Sequence, residues 1–259
     1  SFLSETTMAR AMYKSINTVA IEIGQKLGVR KVLEHAYNLG INSELRSEAG
    51  SLLGSSEVLM LEMATAYSAL DNGGVKVEPF AIRYITNNEG DVLWEDPGLE
   101  SRSKRVMTDK DSYLMIEGMR NVFKFGTAYN YSGMSSYSAG KTGTSNNAKD
   151  NWFCGFTPNL LTTVWVGADK GKGYHKFASG ASLALPIWAE YTKAVLQDRE
   201  IGEFPSPEGI VELKIDPKFG TVDKNGISMF FLEGSEPSSE TSTLKKVTHA
   251  GSYRSYFDQ

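Results

Sequence analysis

Apolar residues recur at three- and four-residue steps through the first part of the chain. From Met8 to Leu27 this spacing predicts helix, with an interruption at 15–17. Ser15 and Asn17 favour caps and turns there, so two consecutive helices are expected. The same spacing, with capping and stop signals, predicts four more helices: 32–37, 58–70, 109–123 after Thr108, and 187–196.

The pattern changes to strand character in two places. Residues 80–86 and 92–94 flank the polar turn 87–90 and predict a hairpin. Later, three strands are predicted at 137–144, 151–156 and 160–166, and a short Thr-Pro-Asn turn separates the last two. Helices, then antiparallel strands, then a helix indicate an α/β (α+β) fold, a sheet covered by helices.

The pattern of residue types along the chain changes after about residue 198. Pro205 and Pro207 mark a boundary, residues 210–231 contain short strand-like runs, and residues 234–243 are polar and expected to be mobile. We therefore expect a main domain over 1–200 and a C-terminal extension over 201–259.

Composition narrows the function classes. The net charge of −4 weighs against nucleic acid as a partner, because phosphate binding requires a basic face. One cysteine excludes an internal disulfide, and the three histidines lack metal-ligand spacing, so neither a metal nor a cofactor is expected. No apolar run is long enough to span a membrane and no signal peptide is visible; the opening Ser1 is interpreted as a boundary.

Two short motifs carry the candidate chemistry. Ser15-Ile16-Asn17 lies at the predicted inter-helix turn, and Lys141-Thr142-Gly143-Thr144 lies on a predicted strand. Each motif alone has a structural explanation: helix capping for the first, and an exposed strand lysine with a close backbone approach at the glycine for the second. Together with a Ser-x-x-Lys motif they form the active-site set of serine acyl-transferring enzymes.

The resemblance to class A penicillin-binding proteins extends well beyond these motifs. It is dense from Met8 to Trp188 and includes Gly126-Thr127-Ala128 ahead of the lysine motif. Other stretches that resemble this family are 11–19, 52–58, 62–67, 72–74, 139–144, 150–153, 155–158 and 164–167. The chain is thereby similar to the C-terminal part of the family's transpeptidase domain.

This resemblance implies a penicillin-binding protein/β-lactamase-like fold, an antiparallel sheet with helices on both faces, here incomplete at its N-terminus. It implies a bifunctional bacterial enzyme with an upstream glycosyltransferase domain, anchored in the inner membrane and working on its periplasmic side. The implied reaction is D,D-transpeptidation of peptidoglycan stem peptides ending in D-Ala-D-Ala, which β-lactam antibiotics inhibit by acylating the same serine.

The resemblance also assigns roles to individual residues. Ser15 is the relay hydroxyl that passes a proton to the leaving group, Asn17 holds the substrate amide and the catalytic lysine, and Lys141 provides positive charge beside the cleft. Thr142 and Thr144 contact the substrate carboxylate, the backbone N–H of Thr144 belongs to the oxyanion hole, and Gly143 permits close approach of the substrate. We expect the Ser15 hydroxyl to lie within direct or one-water hydrogen-bonding reach of the Lys141 amine.

The sequence departs from the family pattern at the nucleophile. Three Ser-x-x-Lys matches occur, at 101–104, 138–141 and 242–245, and none has the setting of a helix start with the lysine one turn later. We therefore expect the nucleophile upstream of Ser1 and the isolated chain to be inactive. The alternatives are a non-catalytic scaffold or binding module of the cell-wall machinery and, less favoured because of the stretches around Glu57 and Trp152, a serine β-lactamase.

Overall fold

The N-terminal third of the described chain is helical. The structure, a computed structural model, describes residues 6–168, 173–174 and 177–237. Helices α1 (Met8–Lys14), α2 (Asn17–Leu27), α3 (Val29–Leu39) and α4 (Met60–Asp71) follow one another, with a 3-10 turn at Ala49–Leu53. The predicted break between the first two helices is confirmed, and α3 extends beyond the predicted 32–37.

Short strands occupy the next stretch. Strands β1 (Val75–Val77), β2 (Tyr84–Thr86) and β3 (Val92–Glu95) precede helix α5 (Leu99–Arg102) and strand β4 (Ser103–Arg105). The predicted hairpin is present as β2–β3, and the Asn87 side chain closes its turn by accepting the backbone N–H groups of Glu89 and Asp91. The antiparallel pair of β1 and β4 was not predicted, because three-residue strands leave almost no periodic pattern.

The remaining elements build the main sheet and what surrounds it. The long helix α6 (Asp109–Phe125) leads through a 3-10 turn at Tyr129–Met134 into strands β5 (Ala139–Thr144), β6 (Asp150–Thr157) and β7 (Leu160–Gly167). These strands form an antiparallel sheet in the order β5-β6-β7, and the three strands and the antiparallel pair of β6 with β7 were predicted. Helix α7 (Ala184–Leu196) and strands β8 (Ile210–Ile215) and β9 (Ile227–Leu232) complete the described chain.

Helices cover both faces of the three-stranded sheet. Alternate residues of β6 point to opposite faces. Phe153 packs against Trp188 of α7 with ring centroids 5.0 Å apart, whereas Phe156, on the other face, shares a buried cluster with Leu70 of α4. The fold class predicted from the sequence is therefore confirmed.

Helix α6 belongs to both hydrophobic cores. Val122 and Phe123 are fully buried in the cluster around Trp188, while Ile116 and Met119, one to two turns earlier, are buried in the cluster around Phe156. One helix thus ties the two sides of the sheet together, and its C-terminal end reaches the strand that carries the lysine motif.

The C-terminal hairpin β8–β9 packs on the outside of α6. The rings of Tyr113 and Phe230 meet edge to face with centroids 5.7 Å apart, and the Thr7 hydroxyl donates to the backbone oxygen of Pro217 at 2.6 Å. The division of the chain at residue 200 stays a prediction. Of the stretch 234–243, which is expected to be mobile, residues 238–243 lie outside the described residues.

A buried carboxylate fixes the start of α4. Glu62 accepts four hydrogen bonds, from the backbone N–H groups of Asn42, Ser43 and Leu59 and from the Ser43 hydroxyl, at 2.6–3.1 Å. Burial opposes ionisation, but these hydrogen bonds outweigh it and hold the pKa of Glu62 below its ordinary value. Glu62 thereby joins the loop after α3 to the N-terminus of α4.

Replacing this carboxylate is expected to destabilise the protein. Glu62→Gln replaces one accepting oxygen with an NH2 group, which cannot accept the hydrogen bonds that the carboxylate accepts. The free energy of unfolding in urea should therefore fall by about 2 kcal/mol at pH 7. Because the pKa is lowered in the folded state, the ionised group stabilises the fold above about pH 4.3, its ordinary pKa, and the difference between variant and wild type should shrink as the pH falls below that value. Glu44→Gln, at an exposed neighbouring carboxylate, should change stability by less than about 0.5 kcal/mol. Equal effects of the two substitutions would contradict this role of Glu62.

Candidate active site

Ser15 lies in a tight turn between two helices. Thr7 caps the start of α1 by accepting the N–H of Arg10, and α1 ends at Lys14. Ser15 then adopts the left-handed conformation, φ 55° and ψ 52°, and the N–H of Ile16 closes the turn on Ala11 at 2.8 Å. A non-glycine residue in this region is uncommon and costs about 1–2 kcal/mol, and such positions cluster at functional sites.

Lys141 reaches this turn from the main sheet. Strand β5 enters the core at Ala139 and Gly140, and Lys141 pairs with Cys154 of β6. The Lys141 Nζ donates to Ser15 Oγ at 2.8 Å and to the backbone oxygen of Thr142 at 3.1 Å. The expected contact between Ser15 and Lys141 is therefore present, across 126 positions of sequence.

The lysine amine lies at the unpaired edge of the described sheet. Strand β5 pairs only with β6, so its other edge has no strand partner in the described ranges. Backbone groups alternate in direction along a strand, and Ser145 donates its N–H to Asp150 of β6. The N–H of Thr144 and the backbone oxygen of Thr142 consequently point to the free edge, where Lys141 Nζ meets that oxygen.

The environment of Lys141 alters its acidity. Burial disfavours the ammonium form and lowers the pKa of Lys141 to about 8. The side chain is therefore mainly protonated at neutral pH and loses its proton slightly above it. An ammonium has donors and no acceptor, so Ser15 must be the acceptor of their hydrogen bond and the proton of Ser15 is free to point elsewhere.

The two threonines of the lysine motif already have partners within the chain. Thr142 Oγ1 and Thr127 Oγ1, in the turn after α6, lie 2.8 Å apart, and Thr144 Oγ1 accepts the N–H of Gly180 at 3.0 Å. Gly180 lies directly on the strand backbone, since a Cβ there would approach the oxygens of Trp152 and Gly143 to 2.3 and 2.5 Å. Both hydroxyls can still donate one hydrogen bond to a ligand if their present partners act as donors.

The turn beyond β5 is fixed by polar contacts. The Asp150 carboxylate accepts the Ser145 hydroxyl at 2.8 Å and the Trp165 indole N–H at 3.1 Å. Asn151, fully buried, donates from its amide to the backbone oxygens of Ala148 and Val166. These contacts hold the end of the lysine-bearing strand rigidly.

Asn17 is the first residue of α2 and is exposed. Its side chain makes no hydrogen bond to any residue of the described ranges. Because it follows Ser15 by two positions on the same turn, its amide is available to a ligand that contacts Ser15.

The Ser-x-x-Lys matches do not supply a second catalytic pair. Ser101 lies in the four-residue helix α5 and donates to Gly98, and its lysine lies on β4 rather than one helical turn away. Ser138 is completely buried. The match at 242–245 lies outside the described residues, and within the described ranges no group of acidic, histidine or cysteine side chains could hold a metal ion.

Two residues that touch the site, Thr127 and Gly180, could not be assigned a role from the sequence. Thr127 occurs in the Gly-Thr-Ala run, which entered only as part of the family resemblance. Gly180 lies in a loop whose sequence carries no signal. Both contacts join segments remote in sequence, 15 and 36 positions apart, and only the folded chain shows them.

The chain is similar to known proteins over most of its length. The family model described as "Penicillin binding protein transpeptidase domain" matches residues 2–189. A penicillin-binding protein 1A of Aquifex aeolicus is 33% identical over 93% of this chain, and this chain spans only a third of that relative's length. Among the described residues, no helix combines the length and the apolar character needed to cross a membrane.

Solved structures show the same likeness. A crystal structure of penicillin-binding protein 1A from Haemophilus influenzae superposes with a TM-score of 0.79 and 27% identity, covering 90% of this chain and 41% of that one. The PonA1 protein of Mycobacterium tuberculosis, solved in complex with penicillin V, superposes with a TM-score of 0.67 and 25% identity, covering 78% of this chain and 59% of that one.

The lowered pKa of Lys141 can be measured directly. In NMR spectra of protein with isotope-labelled lysines, one signal should titrate near pH 8, and it should be absent in Lys141→Arg. Between about pH 8 and the ordinary value of about 10.4 the unfolded chain binds more protons, so this group should make the protein more stable as the pH rises through that window. A Lys141 signal that titrates above pH 10 would contradict the buried amine.

Proposed function

The chain belongs to the penicillin-binding protein transpeptidase family, and on that premise we propose that it is part of an enzyme that cross-links peptidoglycan by serine acyl transfer. The observation that carries the proposal is the 2.8 Å hydrogen bond from Lys141 Nζ to Ser15 Oγ at the free edge of β5. It joins the two motifs at a strand edge that pairs with no other strand of the described residues, and an extended peptide is proposed to lie along that edge.

The proposed reaction moves one proton and exchanges one bond. A nucleophilic serine attacks the carbonyl carbon of the penultimate D-Ala, an ester forms, and the C–N bond to the terminal D-Ala breaks. The proton of the nucleophile ends on the nitrogen of the expelled D-Ala. The lysine that accompanies the nucleophile takes up the nucleophile's proton. Ser15 delivers its own proton to the nitrogen of the expelled D-Ala and regains one from that lysine, while the Lys141 ammonium holds Ser15 in place.

The terminal carboxylate of the substrate is proposed to bind at the lysine motif. The Lys141 ammonium provides the positive charge, and the hydroxyls of Thr142 and Thr144 provide donors. The outward N–H of Thr144 serves as one donor to the oxyanion of the tetrahedral intermediate, a contribution typically worth about 3 kcal/mol of barrier. Gly143 keeps the strand free of a side chain that would obstruct the peptide, and Asn17 holds the substrate amide and the lysine that accompanies the nucleophile.

The nucleophile is proposed to lie outside these 259 residues. Ser138 is inaccessible and Ser101 has no lysine on its helical face, so neither described match provides a lysine-activated hydroxyl. A covalent catalyst of this kind needs both groups within hydrogen-bonding reach of each other.

The remainder of the parent protein follows from the same premise. We propose an upstream glycosyltransferase domain and a membrane anchor, with the transpeptidase domain on the periplasmic side of the bacterial inner membrane. Peptidoglycan stem peptides are the proposed substrates, and β-lactam antibiotics the inhibitors that acylate the nucleophile in their place.

Substitutions at the two motifs should affect acylation far more than folding. In the full-length parent, Lys141→Ala and Ser15→Ala should each slow acylation by benzylpenicillin by about 100-fold or more, the usual contribution of a positioned proton-transfer group. Their thermal unfolding midpoints should stay near that of the parent, since both side chains lie at the edge of the core. Lys224→Ala, at an exposed lysine of the C-terminal hairpin, is the matched control. Normal acylation by Lys141→Ala would refute the proposed role of this residue.

The isolated 259-residue chain should not be acylated. After incubation with excess benzylpenicillin, its intact mass should be unchanged, while the full-length parent gains one penicilloyl group. A stoichiometric gain mapped to any serine of this chain would show that the nucleophile lies within it. A parent that also fails to react would favour a non-catalytic scaffold.

A further inference from the structure

Thr127 contacts the proposed carboxylate site without lying in either motif. Its hydroxyl oxygen is 2.8 Å from that of Thr142, and both side chains are half-buried. In the described residues, the Thr127 hydroxyl has no other hydrogen-bond partner. We infer that Thr127 is a positioning residue that orients the Thr142 hydroxyl toward the substrate carboxylate; this inference rests on the proposed function.

The hydrogen-bonding capacity of the two hydroxyls supports the inference. Each hydroxyl has a single proton, so only one of the two can donate across their shared contact. A carboxylate only accepts hydrogen bonds, and Thr142 must therefore donate to it. Thr127 must then donate to Thr142, which makes a chain of two hydrogen bonds directed at the ligand. Such chains strengthen one another, especially when the terminal acceptor is charged.

The backbone around Thr127 is held in place from several directions. The N–H groups of Gly126 and Ala128 both donate to the backbone oxygen of Val122 at 3.1 Å, and Ala128 is completely buried. The hydroxyl of Thr127 therefore comes from a rigid turn rather than from a mobile loop, as a positioning role requires.

The same turn also holds the Ser15 side of the site. Lys14 Nζ donates to the backbone oxygen of Phe125 at 2.6 Å. Gly126 lets α1 approach so closely that a Cβ there would stand 2.2 Å from the backbone oxygen of Tyr13. The C-terminal turn of α6 thus contacts the serine turn through its backbone and the lysine strand through the Thr127 hydroxyl.

The test compares a ligand that carries the carboxylate with one that does not. In the full-length parent, Thr127→Val removes the hydroxyl at nearly constant volume, Thr127→Ser keeps it, and Thr127→Ala is a second variant without it. The concentration dependence of acylation by benzylpenicillin and by its methyl ester separates the apparent dissociation constant from the limiting rate.

We expect Thr127→Val and Thr127→Ala to weaken binding of benzylpenicillin by up to about tenfold, the effect of one hydrogen bond between neutral groups, with a limiting rate within about twofold of the parent. Thr127→Ser should restore binding, and none of the three should change binding of the methyl ester. Thr86→Val, on the remote β2–β3 hairpin, should affect neither ligand.

Two results would overturn the role of Thr127: unchanged binding of benzylpenicillin by Thr127→Val and Thr127→Ala, or equal losses for the acid and the ester. Thr142→Val separates this failure from failure of the proposed function. If Thr142→Val loses the preference for the acid and the Thr127 variants keep it, only the inference about Thr127 fails. If Thr142→Val also keeps the preference, the proposed carboxylate contact of Thr142 fails with it.

Discussion

The hydrogen bond between Lys141 and Ser15 is the constraint on which the rest of the site depends. It requires a strand that presents its lysine at an unpaired edge, and a helix end that turns sharply enough to bring a hydroxyl to the same point. The left-handed conformation of Ser15 is a local cost of that geometry. Because the ammonium can only donate, the contact keeps the serine proton directed away from Lys141, where it is available to a leaving group.

Helix α6 connects this contact to the fold. It contributes buried residues to both hydrophobic clusters and therefore cannot shift without disturbing the packing on both faces of the sheet. Its C-terminal turn then touches α1 at Gly126 and β5 at Thr127. Because the helix is fixed by the core, the residues that it contacts in the site are also held in fixed positions. Proton transfer and carboxylate binding on one substrate require such fixed positions.

The sequence predicts best where a pattern repeats locally. Two strand-like runs and the Thr-Pro-Asn turn between them predicted the antiparallel pair of β6 and β7, and Ser15 and Asn17 marked the break between α1 and α2. Element ends were less accurate: α7 begins at Ala184 because Pro186 fits the first turn of a helix, where its missing N–H costs nothing. Gly180 and the pairing of β1 with β4 depend on contacts between distant segments, and no local pattern encodes them. The contact between the Ser15 motif and the Lys141 motif could be predicted only because the two motifs occur together in the family that the sequence resembles.

The central claim is that Lys141 and Ser15 act as one unit in proton transfer, and a double-mutant cycle on acylation by benzylpenicillin in the full-length parent tests it most directly. If the claim is right, the Ser15→Ala/Lys141→Ala double variant should be acylated no more slowly than the slower single variant, because either substitution alone already breaks the relay. If the two rate losses multiply instead, the residues act independently and the hydrogen bond between them is only structural.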